Sequence, residues 1–156
     1  MIPGYAELHC LSNYTFLRGA SSPQELVHRA AELGYSAIAI TDECSVAGVV
    51  RAYEAARDLQ FNLVIGSEFT LVDGLKLVLL CTDIRGYENL CELITKARRA
   101  APKGEYRLER ADIEATQGLL ALWLPGGSPR EEEGAWIAQR FPGNGWIGRA
   151  SCRERV

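Results

Sequence analysis

Apolar runs and alternating segments along the chain predict a series of short strands. "YAEL" (Tyr5 to Leu8) is typical of a short strand, and "SAIAIT" (Ser36 to Thr41) and "GLLALWL" (Gly118 to Leu124) have the length and apolar character of buried strands. Further strands are predicted at 63–65, 68–72 and 75–81, and Asp73-Gly74 predicts a two-residue hairpin turn between the last two.

Helical signals separate these strands. Ser22 is predicted to cap a helix that has Pro23 at its first position and Glu25 completing a capping box, and Gly34 ends it. A second helix is predicted from Ser45 to Leu59, with one buried face formed by Val46, Val49, Val50, Tyr53 and Ala56. Others are predicted at 86–100, at 109–115, and after Ser128 as a cap with Pro129 in the first turn.

Strands that alternate with helices indicate an α/β fold with βαβ units and a mostly parallel sheet or barrel. "FPGNGW" (141–146) resembles the end of a helix followed by the start of another strand. A complete barrel typically has about 250 residues. The 156 residues of this chain would then be little more than half of one.

Composition narrows the class of protein. The chain is 47% apolar and 24% charged, as a globular protein is, and it has no apolar run long enough to span a membrane and no secretory leader, so we expect a cytoplasmic protein. Its net charge of -3 and the lack of a Lys/Arg stripe argue against a domain that holds DNA alone. The five cysteines form no C-x-x-C pair and are predicted to be reduced thiols.

The last ten residues, "IGRASCRERV" (147–156), follow no hydrophobic period. They can be encoded by codons that match a common short-read sequencing adapter translated in frame. We therefore expect residues 1–146 to be a partial domain and 147–156 to be read-through from a fragmentary gene assembly. The alternative is a genuine basic C-terminus, which requires all ten codons to coincide. Without the tail, which carries three Arg and one Glu, the net charge falls from -3 to about -5.

Three polar clusters follow predicted strands, where α/β proteins carry their reactive groups. They are Glu7-Leu8-His9, Thr41-Asp42-Glu43 and Gly66-Ser67-Glu68. The strand period of two places Glu7 and His9 on one side, with Leu11 where the second histidine of a His-x-His metal motif would be. One imidazole with several carboxylates favours Mn²⁺ or Mg²⁺, and the candidate ligands are His9, Asp42, Glu68, Glu7 and Glu43. Alternatively, Asp42 and Glu43 are acids placed before a helix N-terminus.

Longer segments of the chain resemble a known family. "YAELHCLSNYTFLRGAS", "AITDECS", "IGSEF" and "GYENLCELIT" are similar to the N-terminal PHP (polymerase and histidinol phosphatase) domain of bacterial DNA polymerase III alpha subunits, over about residues 4–143. The similarity is greatest to the error-prone, damage-inducible class that performs translesion synthesis. It implies a distorted (β/α)7 barrel, truncated here at its C-terminus. In active members of the family, the metal site of that barrel hydrolyses phosphoesters or trims DNA 3′ ends.

The same resemblance implies a degenerate metal site. His9, Asp42 and Glu68 match family ligands, whereas Leu11, Glu43 and Lys76 stand where active members have histidine. Glu7 occupies a position often filled by histidine in replicative relatives. About half of the ligands needed to make hydroxide from bound water are therefore missing. We expect no hydrolysis, at most a single weak Mn²⁺ or Mg²⁺ site, and a structural role for this domain.

The resemblance also implies what the parent protein does. It would be a DNA-directed DNA polymerase that uses Mg²⁺ and contacts DNA through downstream domains, with other mutasome or replication proteins as partners and no membrane. The present chain alone would be inactive. The alternative is a stand-alone PHP phosphoesterase of the histidinol-phosphatase type, against which the missing histidines and the "GYENLCELI" segment count.

Overall fold

A computed structural model describes residues 4–148. Within that range the strands are β1 Ala6–Cys10, β2 Ala37–Ile40, β3 Leu63–Thr70, β4 Lys76–Cys81, β5 Leu119–Trp123 and β6 Gly145–Ile147. The helices are α1 Pro23–Glu32, α2 Val49–Asp58, α3 Ile84–Arg99 and α4 Glu131–Arg140, with a 3-10 turn at Arg110–Asp112. The boundary expected after residue 146 lies inside β6, and residues 149–156 of the expected read-through lie outside the described range.

The strands form one sheet in chain order, from β1 at one edge to β6 at the other. The pairs β1–β2, β2–β3 and β5–β6 are parallel, whereas β3–β4 and β4–β5 are antiparallel. Three of the five pairs are parallel, as predicted for a mostly parallel sheet, and the sheet is mixed because the hairpin after β3 reverses the chain and β5 reverses it again. The α/β class itself is confirmed.

The sheet curls so that its two edges approach each other. A cavity of about 390 Å³ is lined by β1 on one side and by Leu120, Leu122 and Trp146 of β5 and β6 on the other. In a flat sheet, strands spaced about 4.8 Å apart would hold β1 and β6 more than about 20 Å apart, too far to share one cavity. The fold is therefore the half-barrel that the family resemblance implied.

Local capping and turn signals account for several elements. The Ser22 side chain accepts a hydrogen bond from the Glu25 amide at 3.3 Å, and the Glu25 carboxylate accepts one from the Ser22 amide at 2.7 Å, which confirms the capping box of α1. Gly34 follows with φ +71°, as a helix-ending glycine does. The β3–β4 hairpin has a three-residue loop, not the predicted two, because the Leu71 amide already bonds the Leu75 carbonyl and Gly74 takes φ +92°.

Other boundaries differ from the predictions. β3 is one continuous strand from 63 to 70, and only a 3-10 turn forms within 109–115. α2 begins at Val49 and buries Ala52 and Ala55, while Val50 and Tyr53 of the predicted buried face are exposed. α4 begins at Glu131 and has Arg130 at its N-cap, so the prediction of Ser128 as its cap is wrong.

The main core lies between α3 and the antiparallel part of the sheet. It contains Phe69, Leu77, Leu79, Leu90 and Phe141, all almost completely buried. A smaller cluster packs α1 and α2 onto β2. No helix within residues 4–148 is long and apolar enough to cross a membrane. These layers fix the strand ends that carry the polar clusters.

Candidate functional site

The carboxyl ends of β1, β2 and β3 bring the predicted site residues of three strands to one place. His9 Nε2 lies 2.6 Å from Glu68 Oε2, and the Glu68 side chain is only 1% exposed. Glu43 lies beside Glu68 because the next amide, that of Cys44, donates to the Glu68 carbonyl at 2.9 Å. Parallel pairing of β1 with β2 and of β2 with β3 produces this convergence.

Arg18, which the sequence reasoning did not single out, lies at the centre of this cluster. Its Nη1 donates to Glu68 Oε1 at 2.6 Å and to Glu43 Oε2 at 2.7 Å, and its Nη2 reaches Glu68 Oε2 at 3.3 Å. A guanidinium can bridge carboxylates in this way because its donors form a fixed planar fork. The positive charge among these acids therefore comes from the protein itself.

The charges of this cluster are mutually stabilised. Burial alone would raise the pKa of Glu68, but hydrogen bonds from His9 and Arg18 outweigh it and hold that pKa at about 2. The hydrogen bond to Glu68 likewise raises the pKa of Arg18 above its ordinary value. Because ionised Glu68 can only accept, His9 Nε2 must carry the proton between them. A metal at this nitrogen would first have to remove that proton.

Asp42 is committed to the loop that follows β1. Its Oδ1 accepts from the Ser12 amide at 2.8 Å and from Thr15 Oγ1 at 2.7 Å, and its Oδ2 accepts from Ser12 Oγ at 2.7 Å. The side chain is 1% exposed. Since α2 begins only at Val49, Asp42 does not cap that helix and instead holds residues 12–15 against the sheet.

Glu43 and Glu7 have different surroundings. The Glu43 carboxylate accepts a hydrogen bond from the Tyr106 hydroxyl at 2.8 Å in addition to that from Arg18, and burial raises the pKa of Tyr106. Glu7 accepts from the Tyr5 hydroxyl at 2.8 Å and from the His9 amide at 3.2 Å, so its partners are residues two positions away along the chain. The bond to Glu7 raises the pKa of Tyr5 to about 12.

The residues as placed do not fit a metal cluster. Within residues 4–148, no group of three or more His, Cys, Asp or Glu side chains is arranged to hold a metal ion. The physical reason is that the oxygens of Glu43, Glu68 and Asp42 already accept hydrogen bonds from Arg18, Ser12 and Thr15. An ion would have to displace a guanidinium that both glutamates bind. The arrangement is suited to fixing loop 12–19 on the strand ends.

The half-barrel and its strand-end cluster of acids define an α/β domain of the PHP type. The model of the PHP domain family matches residues 7–141, and the chain belongs to that family. It is 54% identical to the error-prone DNA polymerase of Xanthomonas axonopodis pv. citri, over 99% of this chain and 15% of the relative. It is 59% identical to the error-prone DNA polymerase of Pseudomonas aeruginosa, over 92% of this chain and 14% of the relative. The chain thus spans only about a seventh of the length of these curated relatives.

Solved structures support the same fold. An amidohydrolase from Chromobacterium violaceum, with bound sulfate and no metal, superposes with a TM-score of 0.52 and 25% identity, over 62% of this chain and 34% of the other. A Bifidobacterium adolescentis protein with a suggested metal-dependent phosphoesterase activity gives a TM-score of 0.52 and 27% identity, over 63% and 34% of the two chains. Both likenesses cover about two thirds of this chain.

Proposed function

We propose that this chain is the N-terminal PHP domain of a cytoplasmic error-prone DNA polymerase that acts in damage-induced mutagenesis and translesion synthesis. The observation that carries the proposal is the 54% identity to an error-prone DNA polymerase along 99% of the chain. Nucleotidyl transfer, with its Mg²⁺ ions, and the contacts to DNA would belong to the sequence that follows this domain. The net charge of -3 supports that division, because an acidic domain does not hold DNA alone. Other mutasome or replication proteins would be its partners.

We further propose that the PHP site is degenerate and structural. Arg18 supplies, as a covalently attached cation, the charge that an ion would otherwise bring to Glu43 and Glu68. Hydrolysis of a phosphoester by such a site needs several ligands that hold a metal and lower the pKa of its bound water. With a single histidine in the cluster and both glutamates hydrogen-bonded to Arg18, the site lacks that capacity.

The complete reading frame and a primer-extension assay test the polymerase proposal. The purified full-length protein should extend a primed template past an abasic site in Mg²⁺ buffer. A frame that ends near residue 260 would instead support a stand-alone phosphoesterase. The genomic sequence of the same region also decides whether residues 147–156 are native or adapter read-through.

A nuclease assay tests the structural role of the site. In the full-length protein with its polymerising centre disabled by substitution, we expect no removal of nucleotides from a primer terminus in Mn²⁺ buffer. Trimming that disappears on His9→Ala but persists on His28→Ala, an exposed histidine of α1, would overturn the proposal.

Metal binding gives a second readout of the same site. Calorimetric titration of the disabled full-length protein with Mn²⁺ should give the same stoichiometry for the wild-type sequence and for His9→Ala. Arg18→Ala should bind one additional Mn²⁺, because it leaves Glu43 and Glu68 without their cation. A site lost on His9→Ala would show that the wild-type cluster is a weak metal site after all.

A further inference from the structure

Two large apolar side chains project from the loop between β1 and α1. Phe16 is 83% exposed and Leu17 is 90% exposed. Leu17 has φ +65°, a left-handed backbone conformation that is uncommon and unfavourable for a residue other than glycine. Together these two residues form the Phe16–Leu17 knob. Exposure of both side chains on a strained backbone is a cost that solubility or folding alone does not explain.

The loop is fixed on both sides of the knob. Thr15, directly before it, donates to buried Asp42 at 2.7 Å, and Arg18, directly after it, donates to buried Glu68 at 2.6 Å. Gly19 packs so closely that an added Cβ would lie 1.9 Å from the Ser12 carbonyl oxygen. The polar groups of the degenerate site therefore fix the backbone from which the two apolar side chains project.

We infer that the Phe16–Leu17 knob is a docking surface for the part of the full-length polypeptide that follows residue 148. This inference rests on the proposed function. The relatives place about 85% of the protein outside this chain, so a large body of polypeptide is available to cover the knob. An apolar projection on a fixed backbone suits such a permanent internal contact, because the backbone entropy of the loop is already lost before docking.

The surface beside the knob describes the partner further. Phe16 also lines an open cleft of about 440 Å³, whose other walls include Tyr14, Glu43, Arg98 and Tyr106. The Arg98 guanidinium lies 5.5 Å from the centre of the Tyr106 ring. The complementary segment should therefore present apolar side chains to Phe16 and Leu17 and polar groups to the cleft. The hydrogen bonds of Thr15 and Arg18 would then fix the backbone from which this contact is made.

Photocross-linking in the full-length protein tests the inference. With Phe16→benzoylphenylalanine, irradiation should give a product at the mass of one chain, in which mass spectrometry joins residue 16 to a peptide beyond residue 148. The matched control is Ile84→benzoylphenylalanine, since Ile84 is 72% exposed at the start of α3, and its yield should be at least about fivefold lower.

A product at twice the mass would mean that a second copy covers the knob. That product, cross-links confined to residues 4–148, or equal yields at the two positions would each overturn the inference.

Limited proteolysis gives an independent measurement. The full-length double variant Phe16→Ser with Leu17→Ser should be cleaved after the PHP domain about fivefold faster than the wild type, because undocking exposes the connecting segment. The double variant Val72→Ser with Ile84→Ser removes two other largely exposed apolar side chains and should be cleaved at the wild-type rate. Equal rates for the two double variants would overturn the inference. If the protein extends primers but shows neither the cross-link nor the faster cleavage, the docking inference is wrong and the proposed function stands. If the reading frame lacks a region downstream of residue 148, the docking inference and the proposed function both fail.

Discussion

At the scale of single residues, Glu68 is a buried carboxylate whose charge depends on its neighbours. Its pKa of about 2 lies below the ordinary 4.5, so the stabilisation is complete above about pH 4.5 and is lost as the pH falls through 2. In full-length protein with EDTA, hydrogen-exchange protection of β3, corrected for intrinsic rates, should fall across that range. Glu68→Gln should lower the free energy of unfolding by about 3 kcal/mol at pH 7, because Arg18 loses a charged partner. It should also remove this pH dependence.

The exposed acid Glu32 provides the control for Glu68. Its carboxylate pairs with Arg29 at 3.0 Å on the surface of α1, with 65% of the side chain accessible. Glu32→Gln should change protection by less than about 0.5 kcal/mol and leave the acid profile of β3 unchanged. An acid profile that survives in Glu68→Gln would show that another group controls it.

Leu17 tests whether the loop stores backbone strain. The comparison is made in full-length protein that carries Phe16→Ser, so that the knob is already undocked. In that background, Leu17→Gly should slow hydrogen exchange of residues 12–19. Glycine adopts a positive φ without a Cβ clash. We therefore expect the free energy of local opening to rise by about 0.5–1 kcal/mol, after the greater entropy of glycine in the unfolded state is subtracted. Leu17→Ala keeps the Cβ and should show no such gain. Equal protection in the two variants would contradict the strain.

Residue-scale chemistry was predictable where it follows from strand ends. The convergence of His9, Glu43 and Glu68 was expected because parallel strands end at one edge. Arg18 was missed because its reach depends on the conformation of loop 12–19, which no periodicity encodes. A signal did exist, since several acids beside a single histidine need a counter-charge, and Arg18 is the basic residue of the "TFLRG" segment.

At the scale of elements, α3 meets β5 through two glycines. An added Cβ on Gly86 would lie 1.8 Å from the Gly118 carbonyl oxygen, and the Gly86 amide donates to the capping Asp83 carboxylate at 2.8 Å. Gly86→Ala should therefore lift the first turn of α3 from the sheet and destabilise the domain by about 3 kcal/mol. Gly127→Ala, which meets nothing within 4 Å, should be neutral. Thermal melting followed by circular dichroism of the full-length proteins checks both, and an unchanged first transition for Gly86→Ala would contradict this packing.

Element boundaries were predictable where a local side-chain contact sets them. The Ser22–Glu25 box and Asp73-Gly74 turn act within a few residues, and the structure shows both, the turn with one more loop residue. The start of α2 was wrong because residues 43–48 are held by the site, with Cys44 at φ +45° and Gly48 against Pro23 and Tyr14. These are contacts between segments distant in the sequence.

At the scale of the whole molecule, strand order and direction came only partly from the sequence. Periodicity identified the strands, and the Asp73-Gly74 turn predicted the antiparallel β3–β4 pair, but neither says that β4 also pairs antiparallel with β5. The half-barrel was expected from the family resemblance rather than from hydrophobic patterning. The curvature depends on twist accumulated over all the strands, a property that no single segment carries.

The half-barrel has two open edges. β1 and β6 are the edge strands, Trp146 is 60% exposed and Leu8 is 38% exposed along them, and both residues line the same apolar cavity. Residues 1–148 produced alone should therefore associate through these edges and sediment, whereas the full-length protein should stay in solution. Trp146→Lys in the short chain should raise its soluble fraction at least about twofold, because a charge on an edge strand disfavours pairing. Exposed Ile84→Lys in α3 is the control for added charge alone. A monomeric short chain with a sharp cooperative melt would show that the half-barrel is stable without further strands.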